Sequence, residues 1–177
     1  SLLAGLLFDD RHNAMSPSHG AKRKTKHRYY VSQAVLQYKE DEVGSVRRIA
    51  AHTIEDLIHK QIKIEFTAET KLSEILSISG MTAADHELLI QRASYLVKSW
   101  TNLTPHEQID HLKRFIKKIT ISRQEVMIIF SRTGLATTLL PQIETSDLPE
   151  SDDYCVRIQV ALKRCGIESR LIVTDAV

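Results

Sequence analysis

An α+β fold, with an N-terminal β-ribbon, central antiparallel helices and a small C-terminal antiparallel sheet, follows from three features of this 177-residue sequence. Strand-forming and turn-forming residue types dominate residues 2–32. Apolar side chains then recur at helical spacing between residues 53 and 117, and beyond Ile119 that spacing gives way to alternation. These changes of period divide the chain into a ribbon over 1–50, a helical part over 51–118 and a β-rich part over 119–177 that packs with the helices.

The ribbon begins with the apolar run Leu2 to Phe8, expected as a strand, which meets the turn cluster Asp9, Asp10, Arg11, His12 and Asn13. A second extended piece passes Met15 and Ser18, enters the cations Lys22, Arg23, Lys24, Lys26 and Arg28, and continues into Tyr29, Tyr30 and Val31, types that suit a pleated strand. Residues 33–47, with mixed charges and the Gly44-Ser45 pair, read as a surface crossing.

Thr53 with Asp56 fits a capping box, and Ile54, Leu57, Ile58 and Ile62 share a face, so a helix is expected over 53–67. Leu72, Ile75, Leu76 and Ile78 give one or two further turns ending at Gly80, a natural stop. Thr82 with Asp85 caps a third stripe running from Leu88 to Trp100. Thr104-Pro105-His106-Glu107 adds proline at the first helical position and starts a fourth helix, to about Lys117. The short loop between these last two predicts antiparallel packing. Ile119 and Ile121 form one strand, and Val126, Ile128 and Phe130 a second, with 122–125 as the turn. A helical piece from Leu135 to Leu140, an acidic loop over 142–153 and a final hairpin from Val156–Leu162 and Leu171–Val173 complete the chain.

The formal net charge is +2, yet the five cations within residues 22–28 leave the rest of the chain at −3. Positive charge this local suits one anion-binding face. Cys155 and Cys165 are too few for a disulfide framework and outside zinc spacing, which predicts reduced thiols in a cytoplasmic protein. No apolar stretch reaches the roughly 18 residues that a membrane span needs, so no membrane partner is expected.

The order LLAGLLFDD over 2–10, MSPSHGAKR over 15–23 and HRYYVS over 27–32 resembles the segment that follows the catalytic domain in serine site-specific recombinases, the resolvase and DNA invertase superfamily, in its longer bacterial members. KKITISRQEVMIIF over 117–130 is similar to the closing strands of that region, and VALKRCGIESRLIV over 160–173 to its end. Many relatives form a zinc ribbon there. In this sequence Asp9 and His12 stand where the first cysteine pair would be, Ser32 stands where a later one would be, and no cysteine precedes Cys155. The resemblance therefore implies the ribbon without its metal, and no cofactor.

Asp9 with His12 could form half of a zinc site, with His19 and His27 nearby, but a structural site wants four ligands and the second half is missing. A turn that satisfies its own hydrogen bonds is the better reading. The cationic cluster beside two tyrosines is the strongest functional signal, since dense Lys and Arg can neutralise several phosphates and a β-ribbon can enter a major groove. Its plain alternative is a solvated loop. The expected double-stranded DNA contacts are Lys22, Arg23, Lys24, Lys26, His27, Arg28 and Tyr29, with Arg47 and Arg48 as weaker candidates that could equally pair with nearby acids.

The resemblance places the recombinase's nucleophilic serine and its arginines in an N-terminal domain, and nothing in this sequence replaces them, so catalytic residues are expected to be none. Ser1 reads as foreign to the natural chain, which makes this an excised C-terminal portion. Large relatives insert a coiled coil in this region. The stripes over 82–117 show no sustained heptad, so intradomain core is favoured there, and any homo-oligomer would form through the parent recombinase. The function expected is DNA half-site binding without catalysis. The alternative is a protein interaction module in which the ribbon is only a structural cap.

Overall fold

The computed structural model describes residues 1–22, 25–165 and 168–174, with side chains described outside 21–26 and 164–168. Strands β1 (Leu7–Asp9), β2 (Met15–Lys22) and β3 (Thr25–Ser32) are followed by a short helix α1 (Gln33–Leu36), strand β4 (Arg48–Ala50) and helices α2 (Ala51–Thr67), α3 (Glu69–Leu76), α4 (Ala83–Ser99) and α5 (Pro105–Phe115). Strands β5 (Ile116–Ile121) and β6 (Glu125–Ser131), helix α6 (Arg132–Leu139) and strands β7 (Asp153–Cys165) and β8 (Glu168–Val173) complete the order. The fold is α+β, with a five-stranded sheet in the order β1-β5-β6-β7-β8 and a three-stranded sheet in the order β2-β3-β4. Among the described residues no helix is long and apolar enough to cross a membrane.

The chain forms two compact units, one from Ser1–Leu57, Lys118–Ile128 and Val156–Val177, the other from Ile58–Lys117 and Ile129–Cys155. In the first, β1 pairs parallel with β5, Leu7 against Ile119 and Asp9 against Ile121. The hairpin of β2 and β3 is antiparallel, with Met15 opposite Ser32 and Ser18 opposite Tyr29, and β4 extends it with Ile49 opposite Tyr30. Leu3, Leu7, Met15, Tyr30, Ile49 and Ile54 are all fully buried there.

The second unit buries an aromatic cluster. Phe66 meets the ring of Phe115 edge-on at 5.5 Å between centroids, and His111 stacks on Phe115 at 5.6 Å. Helices α3, α4 and α5 each lie against α6. The α4 stripe points inward through Leu89, Ala93 and Leu96. Two of the three capping boxes expected from sequence are made: Asp85 N–H donates to Thr82 Oγ1 at 3.1 Å, and Glu107 N–H donates to Thr104 Oγ1 at 3.3 Å.

Four local expectations are corrected. The run from Leu2 is mostly a turn, closed by Leu6 N–H to the Leu3 carbonyl at 3.0 Å and ended by Gly5 at φ 80°, so only Leu7–Asp9 is strand, and its partner is β5 rather than the ribbon. Helix α2 starts at Ala51, directly off β4, which puts Thr53 inside the first turn instead of at the cap. Helix α3 stops at Ser77, whose left-handed φ of 45° turns the chain before Gly80 is reached. Helix α5 ends at Phe115 because Ile116 already has extended backbone and opens β5.

Candidate nucleic-acid interface

Alternation along β3 decides which side chains of the ribbon meet solvent. Tyr29 and Tyr30 are neighbours in sequence, and the pleat sends them to opposite faces. Tyr30 is fully buried. Its hydroxyl donates to Glu55 Oε1 at 2.7 Å and accepts from the Leu3 N–H at 2.9 Å. Burial first, and then the Glu55 carboxylate, raise its pKa well above the ordinary phenol value. Of the two tyrosines read as a pair from sequence, one therefore belongs to the core.

The opposite face carries His27 and Tyr29 from β3 and Arg48 from β4. Tyr29 lies opposite Ala50, so Arg48 is its diagonal neighbour, and the guanidinium carbon sits 4.4 Å from the Tyr29 ring centroid. His27 continues the row, its ring 6.4 Å from that of Tyr29. Gly20, opposite His27 on β2, lies under the phenol ring, where a Cβ would be in ordinary van der Waals contact with Tyr29 Cε2 at 3.5 Å. Arg48 makes no ion pair among the described residues, and both Arg48 and His27 are exposed. The result is an exposed cation fixed over an aromatic ring, with its planar donors available to an anion.

Two of the expected cations have carboxylate partners. Arg28, on the Tyr30 face, reaches Glu55 Oε2 at 3.2 Å. Arg47 grips Glu40 through both Nη atoms, with Nη2 to Oε1 at 2.9 Å, and this pairing lowers the Glu40 pKa. The Arg47–Glu40 pair is exposed on both sides, where exchange of a carboxylate for a phosphate costs little, whereas Glu55 is only 11% exposed and holds Arg28 more firmly. Lys22 and Lys26 lie on the backbone of β2 and β3, opposite Thr25 and Ala21, but their side chains, like Arg23 and Lys24 altogether, fall outside the described residues.

Asp9, at the place of a cysteine ligand in the family pattern, is a hydrogen-bond hub. It is wholly buried, as is Ser32. The Ser32 hydroxyl donates to Asp9 Oδ2 at 2.8 Å, the Gly44 N–H to the same oxygen at 3.0 Å, and the Asn13 amide nitrogen to Oδ2 at 2.9 Å. Arg11 and Asn13 N–H groups donate to Oδ1 at 3.0 and 2.9 Å. His12 turns away with a left-handed φ of 66° and lies 3.2 Å from Lys118 Nζ through Nδ1. Among the described residues no three metal-capable side chains come together.

Sequence reading missed Glu55, which ties Leu2, Tyr30 and Arg28 together. Its partners are 53, 25 and 27 residues away, and no local spacing announces them. It also missed Lys118, whose Nζ lies 4.7 Å from the Phe8 ring centroid.

No protein-family model matches the chain, and no curated protein matches it. Solved structures similar to this chain include the following two. One concerns "Sequence Requirements of the Listeria innocua prophage attP site", with 18% identity over 73% of this chain and 42% of the other, at a TM-score of 0.44. The second is a "Crystal Structure of a LSR-DNA Complex", with 17% identity over 73% of this chain and 55% of the other, at a TM-score of 0.42. This chain thus spans about half the length of each. At these scores the likeness carries no argument about what this chain does.

Proposed function

We propose that this chain is a duplex-DNA-binding, non-catalytic region of a serine recombinase, and that strand cleavage falls to a separate catalytic domain. The observation that carries the reading is the row of exposed His27, half-buried Tyr29 and exposed Arg48, with Arg48 held over the Tyr29 ring and, among the described residues, no carboxylate paired with it. The row leads along β3 toward the hairpin end where Lys22 closes β2 and Lys26 lies in β3. A pre-positioned guanidinium on an antiparallel ribbon suits a phosphate or a guanine edge, because its orientation is fixed before binding. The resemblance of residues 2–32 to the post-catalytic segment of serine recombinases points the same way.

The test is an anisotropy titration of the chain with duplex DNA. Arg48→Ala and Tyr29→Ala are each expected to weaken binding by about three- to tenfold, in line with roughly 1 kcal/mol for one interaction of this kind. Unchanged affinity in both would remove this face from the interface.

A second reading, a protein interaction module, is favoured by one feature. Tyr38 is 91% exposed at a left-handed φ of 58°, beside Leu36 at 51% exposure. A light-scattering mass above that of the single chain, absent in Tyr38→Ser, would support it.

A further inference from the structure

The far end of the β7–β8 hairpin places two cations face to face. Lys163 lies directly opposite Arg170 in the antiparallel register, and both are exposed. Directly opposed like charges on a sheet repel, and neither side chain makes an ion pair among the described residues. Arg157, on the same strand and the same face, is neutralised: its Nη1 meets Glu125 Oε1 at 2.7 Å, and Gln159 reaches the other oxygen of that carboxylate at 3.3 Å. Charge is balanced at the base of the hairpin, whereas Lys163 and Arg170 have no ion-pair partner among the described residues.

Two further observations indicate what would balance it. Ile172, two residues along β8 from Arg170 and on the same face, is 42% exposed, so the cations stand next to an apolar side chain. Within the same unit β8 also adjoins β4, the strand that carries Arg48. An anion with repeated charges and an apolar edge, which is the description of a nucleic-acid backbone with its sugars, satisfies both features at once.

We infer that Lys163 and Arg170 form a second phosphate clamp, through which the β7–β8 hairpin contacts the same duplex as the ribbon. The inference rests on the DNA-binding reading given above. Two cations holding two phosphates contribute about 1.8 to the slope of log affinity against log salt, at roughly 0.9 per phosphate. The plain alternative is that these charges only protect the edge strand β8 from pairing with another chain.

Affinity for a mixed-sequence duplex, measured at several salt concentrations, separates these possibilities. Lys163→Ala with Arg170→Ala is expected to weaken binding by at least tenfold and to flatten the salt slope by between about 1 and 2. Lys163→Glu provides a folding control: it converts the repulsive pair into an attractive one, so its thermal midpoint should equal or exceed that of the parent while its duplex affinity falls. Unchanged affinity and slope in both variants, with Arg48→Ala still weakening binding, would overturn the clamp and leave the ribbon interface standing. Absence of duplex binding by the parent chain would overturn both.

Discussion

Asp9 is a carboxylate without solvent exposure, and burial by itself raises its pKa. Hydrogen bonds from Asn13, Ser32 and Gly44 outweigh burial and hold its pKa below the ordinary carboxylate value. Because the unfolded chain binds the proton more readily, this contribution to stability is complete above the unfolded value of 3.8 and disappears as the pH falls through the lower folded value. His111 acts in the same direction at higher pH. Burial and then the nearby Arg114 lower its pKa, so its contribution is complete above 6.5 and declines as the pH drops below that. Its Nδ1 is buried with no hydrogen-bond partner among the described residues. Asp9→Ala is expected to cost about 3 kcal/mol at neutral pH and to flatten the acid limb of a urea-midpoint profile below about pH 4. An unchanged profile would mean that the hub does not hold the ribbon. The sequence shows Asp9 and Ser32 only as departures from a cysteine pattern. That they form one hydrogen-bonded cluster depends on a separation of 23 residues along the chain, which spacing rules do not reach.

At the level of elements, the capped helices were the most legible, because Thr82 with Asp85 and Thr104 with Glu107 are local chemistry with a fixed offset. The alternating stretches of β5, β6 and β7 were legible for the same reason. Strand β1 was not, since its parallel partner β5 lies more than a hundred residues away and the preceding Leu-rich run has the composition of a strand while folding as a turn. Close approaches were equally hidden. A Cβ on Gly44 would lie 2.7 Å from Asp9 Cγ and 2.4 Å from Asp10 Oδ1, and one on Gly134 would meet the Arg114 carbonyl oxygen at 1.7 Å. Gly134→Ala must displace backbone and is expected to destabilise by about 3 kcal/mol, whereas Gly44→Ala displaces carboxylates and should cost about 2 kcal/mol. Urea denaturation of the two variants checks the order, and a smaller loss at Gly134 than at Gly44 would contradict it.

Across the whole molecule, the formal charge of +2 conceals a strong asymmetry, with five cations in seven residues of the ribbon. Each of the two units gathers segments distant in sequence. Chain order did not separate exposed from paired cations: Arg47 and Arg48 are adjacent, yet one is held by Glu40 and the other lies over Tyr29. In the proposed function the ribbon is a surface whose cations, apart from Arg28 and Arg47 with their own carboxylate partners, are matched by phosphates. The salt dependence of duplex affinity tests this most directly, comparing the chain with a variant in which Lys22, Arg23, Lys24, Lys26 and Arg28 are alanine. A steep slope in the parent that falls by at least about 2 in the variant is expected, at roughly 0.9 for each phosphate no longer neutralised. Equal slopes and equal affinities in the two proteins would contradict it.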